Sequence, residues 1–179
     1  ALSQRAEMRQ ALYQPLVPSH LHALEQQSIA ILREAYANYK TLGMLWSAGK
    51  DSTLLLHLAK KAFLGHLPFP FVFIDTGYKA PQLIQYRDQV AQLEKLDLKI
   101  ISNQEARQAG MNPQQGRIQC CSALKSEALQ IGLQQYQFDA LLVGVRKDEQ
   151  ETRAKERVFS PRLADKSWQA HKQPPELWG

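Results

Sequence analysis

The chain has 179 residues, 44% hydrophobic and 22% charged, with a formal net charge of +5 and a pI near 9.3. This composition predicts one soluble globular domain with a sizeable core, and the basic balance permits nucleic-acid binding without requiring it. No apolar run approaches the ~20 residues of a membrane span, no segment resembles a secretory signal, and the only two cysteines are adjacent, so a disulfide framework is excluded and a cytoplasmic location is expected.

Residues 1–19, with Pro15 and Pro18, read as an N-terminal arm. From His20 to Lys40, Leu21, Leu24, Ile31, Leu32, Ala35 and Tyr39 recur at helical spacing, with Ser19 placed as N-cap. LGMLW at 42–46 predicts a buried strand, and 51–64 a helix turning Leu54, Leu55, Leu58 and Ala62 inward. FVFI at 71–74 is a second strand, followed by a helix over 81–96 with Pro81 in its first turn. LKII at 98–101 is a third strand, 103–119 a loop, 122–136 a helix, and DALLVG at 139–144 a fourth strand. The segment 20–159 forms the expected nucleotide-binding domain. The tail 160–179, with Pro161, Pro174 and Pro175, shows no clear periodicity and no evident partner within the chain.

Strands alternating with helices predict an α/β fold, a parallel twisted sheet flanked by helices. Ligands of such sheets sit beyond the carboxyl ends of the strands. Three chemically loaded segments follow strand ends: Ser47–Thr53, Asp75–Lys79 and Gly144–Arg157.

The first, SAGKDST, departs from the common nucleotide loop: Gly43 lies one position too far back for Gly-x-x-x-x-Gly-Lys-Ser/Thr, and Lys50 is followed by Asp51. A helix N-terminus attracts a phosphate oxygen. Gly49 allows close approach, Lys50 adds charge, and Ser47, Ser52 and Thr53 add hydroxyls. Asp51 suits phosphate only if a divalent cation bridges them or it caps the helix. A plain capped turn fits the same residue types.

SAGKDST resembles the Ser-Gly-Gly-x-Asp-Ser-Ser/Thr loop of the PP-loop ATP pyrophosphatases, with Ala48 replacing the first glycine. That resemblance implies an adenine-nucleotide α-hydrolase-like, Rossmann-like sheet and a loop that grips the pyrophosphate of ATP, with reaction at the α-phosphate. Within the PAPS reductase-like superfamily, LPFPFVFIDTGYK at 67–79 is similar to the small subunit of bacterial sulfate adenylyltransferase. GMNP at 110–113, FDALLVGVRKDEQETRAKERVFSPR at 138–162 and PELW at 175–178 match the same subunit.

The resemblance implies adenylyl transfer from ATP to sulfate, with Mg2+ and a large GTPase subunit as partner. It assigns Lys50, Asp51, Arg146 and Arg153 to catalysis. Ser47, Ala48, Gly49, Ser52, Thr53, Asp75, Thr76, Gly144, Lys147 and Arg157 join Lys50, Asp51 and Arg146 in nucleotide binding, and Asp51 and Asp148 hold Mg2+. The arginine segment reads equally as a solvated charged helix. The small subunit continues beyond Pro-Glu-Leu-Trp, whereas this chain ends at Gly179, which predicts a fragment or a site lacking its remainder.

QCCSALKSEAL at 119–129 instead resembles the Cys-Cys-x-x-x-Lys segment of sulfonucleotide reductases and sulfur-inserting relatives. In iron–sulfur reductases the pair supplies half the cluster ligands, but the later Cys-x-x-Cys is missing here. Cys120 and Cys121 are then structural thiols, or a low-pKa thiol site near a helix N-terminus and Lys125. Two chains sharing a cluster is a third arrangement. Reduction or sulfur insertion with a sulfonucleotide is thus the alternative function, and an inactive nucleotide-binding relative a third. The five histidines show no metal-ligand spacing. Trp46 and Tyr78 flank two loops, placed either to stack on adenine or to pack in the core.

Overall fold

The computed structural model describes residues 19–145, 156–162 and 178, so Arg146, Lys147, Asp148, Arg153 and the N-terminal arm lie outside the described residues. Its helices and strands alternate as α1 (Ser19–Asn38), β1 (Leu42–Leu45), α2 (Lys50–Ala62), β2 (Phe71–Ile74), α3 (Pro81–Leu93), β3 (Leu98–Ile101), α4 (Gln104–Gln108), a 3-10 turn (Pro113–Gln115), α5 (Arg117–Cys121), a π-helical stretch (Ser122–Glu127), α6 (Ala128–Tyr136) and β4 (Ala140–Leu142). The strands form one sheet in the order β3-β2-β1-β4, and every pairing is parallel. The expected α/β architecture is therefore present.

The chain steps outward from β1 through β2 to β3, then returns to the other side of β1 for β4. At that reversal the loops after β1 and β4 leave in opposite directions and open a crevice, where open α/β sheets bind ligands. Apolar runs without polar alternation suit strands buried on both faces. Met44, Trp46, Phe71, Val72 and Phe73 have no exposure at all. Leu32 and Ala35 of α1 join Leu56, Ala59 and Ala62 of α2 in the larger cluster. A smaller cluster on Val72, Ile101 and Phe138 includes Leu133 of α6.

Helix α2 corrects the expected inward face. Its buried residues are Ser52, Leu56, Ala59 and Ala62, while Leu54 is 58% exposed and Leu55 and Leu58 are half-buried. Ser52 sets the phase, because its hydroxyl is tied into the preceding loop and places the buried stripe at positions four, seven and ten residues on.

The expected loop over 103–119 contains α4, the 3-10 turn and the start of α5. Asn103 caps α4 by accepting from the Ala106 amide at 3.1 Å. Asn112 and Gln115 form a reciprocal capping box around Pro113. The tail also has partners: Phe159 stacks on Tyr39, and Trp178 Nε1 donates to Glu34 Oε2 at 2.9 Å. Among the described residues no helix is long and apolar enough to cross a membrane.

Candidate functional site

The loop after β1 begins by extending the sheet, since the Trp46 amide donates to the Val72 carbonyl at 2.8 Å. The backbone then turns sharply through Ala48, at φ +59 in the left-handed region, and Gly49 leads into α2. Ser52, 7% exposed, fastens this turn. Its hydroxyl donates to the Gly49 carbonyl at 3.1 Å, accepts from the Ser47 amide at 3.2 Å and lies 3.1 Å from the Ser47 hydroxyl. Thr53 accepts from Trp46 Nε1 at 3.4 Å. Ser52 and Thr53 thus spend their hydroxyls on the loop itself, and the exposed Ser47, Gly49 and Lys50 form its outer rim.

No side chain caps α2 from Gly49. The Thr53 amide closes the first turn on the Gly49 carbonyl, leaving the amides of Lys50, Asp51 and Ser52 without an intrahelical acceptor. Gly144, beyond β4, packs its backbone against this end: an added Cβ would lie 3.2 Å from the Asp51 carbonyl oxygen and 3.5 Å from the Ser52 nitrogen. Two strand-end loops therefore meet at the helix N-terminus, at the reversal point of the sheet.

The left-handed turn predicts an order of stability. Ala48→Gly is tolerated, whereas Ala48→Val, a β-branched residue at positive φ, destabilises by on the order of 1–3 kcal/mol. Urea midpoints measure this, and an unchanged midpoint for the valine variant would contradict the turn.

Lys50 Nζ reaches both oxygens of Asp51, at 3.1 and 3.2 Å, with the two side chains 77% and 38% exposed. Asp51 is therefore not a cap, and its carboxylate is neutralised by its neighbour. Mg2+ takes one or two carboxylates together with substrate phosphates, so Asp51 is an adequate protein ligand once nucleotide is present. No group of three or more potential metal ligands occurs among the described residues.

The segment after β2 is a self-braced turn. Asp75 donates its amide to the Ile101 carbonyl at 2.8 Å, and its Oδ1 accepts from the Gly77 amide at 2.9 Å. The buried Thr76 accepts from the Tyr78 amide at 3.4 Å. Gly77, at φ +78, lies against the Arg107 guanidinium, whose atoms would sit 3.0–3.1 Å from an added Cβ. Tyr78 is exposed and donates to the Met111 carbonyl at 3.0 Å, so it, unlike the fully buried Trp46, is available to a ligand.

Lys79 Nζ lies 4.8 Å from the centre of the Phe73 ring, and the Arg87 guanidinium lies 4.9 Å from the same centre. Burial pushes the Lys79 ammonium below its ordinary range. The charge of Lys125 pushes the same way, Asp75 pulls against it, and Arg87 lowers it further. Sequence reasoning passed over Lys79 and Arg107. Lys79 stood inside the DTGYK segment, but the sequence carries no sign that Arg107 folds onto Gly77.

The cysteine pair is placed differently from expectation. The helix starts at Arg117 rather than Ser122, and the Cys120 amide already donates to the Gly116 carbonyl at 3.0 Å. The first turn is closed before the thiols, so they do not sit at a helix N-terminus. Both are half-buried and free. The following π-helical stretch carries the exposed Lys125. It is pinned to the end of β3 by Asn103 Nδ2, which donates to the Ala123 carbonyl at 3.0 Å and to Glu127 at 3.2 Å.

Arg157 has one buried guanidinium nitrogen, Nη1, without a hydrogen-bond partner. It lies two residues before Phe159, which stacks on Tyr39 at the entry to β1, the end of that strand opposite the Ser47–Thr53 loop. The structure thus brings Ser47–Thr53 and Gly144 together, sets Asp75 and Thr76 on the neighbouring strand end, and gives Arg157 no printed contact with them.

A profile of the phosphoadenosine phosphosulfate reductase domain matches residues 41–171. Sulfate adenylyltransferase subunit 2 of Acinetobacter baumannii (strain AYE) is 45% identical over 162 residues, covering 89% of this chain and 53% of that protein. The subunit 2 protein of Proteus mirabilis (strain HI4320) is 43% identical, with 89% and 54% covered. The chain therefore spans about half the length of these curated relatives. In three dimensions it is similar to a phosphoadenylyl-sulfate reductase from Candida auris, solved as a phosphate complex, with a TM-score of 0.58 at 21% identity over 75% of this chain and 70% of that one. With the profile spanning well over half of its residues, the chain belongs to the phosphoadenosine phosphosulfate reductase domain family.

Proposed function

We propose that this chain is the nucleotide-handling part of a sulfate-activating adenylyltransferase. The observation that carries the reading is the uncapped N-terminus of α2, which meets the β4 loop at the reversal point of the sheet with Lys50 at its rim. The 43–45% identity to proteins named sulfate adenylyltransferase subunit 2 supports the same choice.

In this reaction a sulfate oxygen attacks the α-phosphorus of ATP. The new O–P bond forms as the bond to the bridging α–β oxygen breaks, and pyrophosphate leaves with the electron pair. The protein's task is positioning and charge stabilisation rather than proton transfer. The free amides of Lys50, Asp51 and Ser52 hold the departing pyrophosphate, and Lys50 neutralises its growing charge. Asp75 and Thr76 shape the wall for the nucleoside, and Gly144 closes the loop from the other side. Arg146, Lys147, Arg153 and Arg157 remain the proposed anion clamp, since guanidinium forks match phosphate and sulfate oxygens. Asp51 and Asp148 would hold Mg2+, which supplies further charge neutralisation when bound. The name subunit 2 on the relatives extends the proposal to a partner subunit, a large GTPase.

A second reading, reduction or sulfur insertion through Cys120 or Cys121, draws on the accessible thiols and on the π-helical stretch behind them, a feature enriched at functional sites. The two separate cleanly, because adenylyl transfer needs no thiol. The Cys120→Ser, Cys121→Ser double variant is expected to keep wild-type pyrophosphate release from ATP and sulfate. Abolished turnover in a folded double variant, together with rapid alkylation of the parent protein, would transfer the assignment to the thiols.

A further inference from the structure

The described residues hold three cations without a carboxylate partner around the ends of β2 and β3. Lys79 closes the Asp75–Lys79 turn, Arg107 lies on Gly77 of that turn, and Lys125 stands on the π-helical stretch that Asn103 ties to the end of β3. The carboxylates nearby are already engaged. Asp75 accepts from Gly77, Asp88 pairs with Arg87 at 2.6 Å, and Glu127 accepts from Asn103. Lys79 also lines an open cavity of about 610 Å3 with Pro81, Ile84, Gln85 and Asp88, so its ammonium is reachable from solution.

Gathering like charges around a half-buried lysine opposes folding unless something of opposite sign relieves it. The desolvation and repulsion acting on Lys79 are that strain. Mutual repulsion of this kind is expected at ligand sites, where the bound state rather than the free protein satisfies the charges.

We infer that Lys79, Arg107 and Lys125 form a second anion site, distinct from the Ser47–Thr53 loop, which takes the tetrahedral oxyanion of the acceptor. Naming it the acceptor rests on the adenylyl-transfer reading; the anion site itself does not. The oxyanion arrives as free sulfate or as one end of a sulfonucleotide, and the same three cations serve either source.

Calorimetry and thermal melts of the whole chain with sodium sulfate, against sodium chloride at equal ionic strength, test the site. Sulfate is expected to raise the melting temperature of the wild type. Lys79→Met and Arg107→Gln should each weaken sulfate binding about tenfold or more, the scale of one lost charge-assisted contact, while Lys50→Ala keeps it. Without sulfate, Lys79→Met should melt at a higher temperature than the wild type near neutral pH. The reason is linkage: a lysine whose folded pKa is depressed opposes folding below that value, and the opposition fades as pH rises through it.

Adenylyl sulfate as a second probe separates the sources: binding of it alone, lost in Lys79→Met, assigns the oxyanion to a sulfonucleotide. The inference is overturned if both probes bind the Lys79 and Arg107 variants as tightly as the wild type, or if only Lys50→Ala abolishes sulfate binding. Lysine-dependent sulfate binding without pyrophosphate release from ATP would overturn the adenylyl-transfer reading alone.

Discussion

Lys50→Ala should lower pyrophosphate release by on the order of 10²–10³-fold while leaving the fold intact. The two halves of that expectation have separate physical sources. In the free protein Lys50 is 77% exposed and bonded only to Asp51. Exposed pairs of this kind contribute between zero and about 1 kcal/mol to stability, so the melting transition should barely move. In the reaction the lysine faces charge developing on the leaving pyrophosphate, at a helix end whose amides carry roughly half a positive charge. Its loss also leaves the Asp51 carboxylate unneutralised beside the phosphates, so Lys50→Ala, Asp51→Asn should recover part of the activity. Calorimetry with Mg-ATP and a pyrophosphate assay measure both effects. Unchanged ATP affinity in a folded Lys50→Ala protein would remove the phosphate-loop assignment.

The strands were legible because each is a short apolar run between turn residues, and a parallel sheet buries both faces of such runs. The α2 stripe was not. Periodicity alone allowed Leu54 as an inward residue, and only the bonding of Ser52 to Ser47 and Gly49 fixed the rotation that leaves it 58% exposed. Between 103 and 119 the sequence did carry a signal, since Asn112-Pro113-Gln114-Gln115 is a capping box with proline in the first turn. The true start at Arg117 escaped notice because a helix with a π-helical interruption breaks the 3.6-residue period on either side of Ser122.

At the candidate site, SAGKDST was readable as a string. What it could not convey was the division of labour among its hydroxyls, where Ser52 and Thr53 brace the loop. The meeting of Lys79, Arg107 and Lys125 is tertiary: 46 residues separate the first from the last, and nothing in local composition brings them together.

Trp46→Ala should be among the most damaging single substitutions in the chain, destabilising by about 3–5 kcal/mol, as large-to-small changes of buried aromatics do. Trp46 has no exposure, sits in the larger core cluster, and marks where β1 gives way to the loop. Its ring fills the space beneath the loop and its Nε1 reaches Thr53 on the first turn of α2 at 3.4 Å. The cavity left by alanine would lie directly under the turn that holds Gly49 and Lys50, so Mg-ATP affinity should fall together with stability. A loss of this size is a large part of the roughly 5–15 kcal/mol that holds a typical domain folded. Trp46→Phe separates packing from ligand contact, because it restores most of the volume and gives up only the weak Thr53 bond. It should recover most of the urea midpoint and nearly all of the ATP affinity. If instead Trp46→Ala keeps the wild-type midpoint while Trp46→Phe loses ATP binding, the ring stacks on the nucleotide, and its burial beneath the loop is refuted.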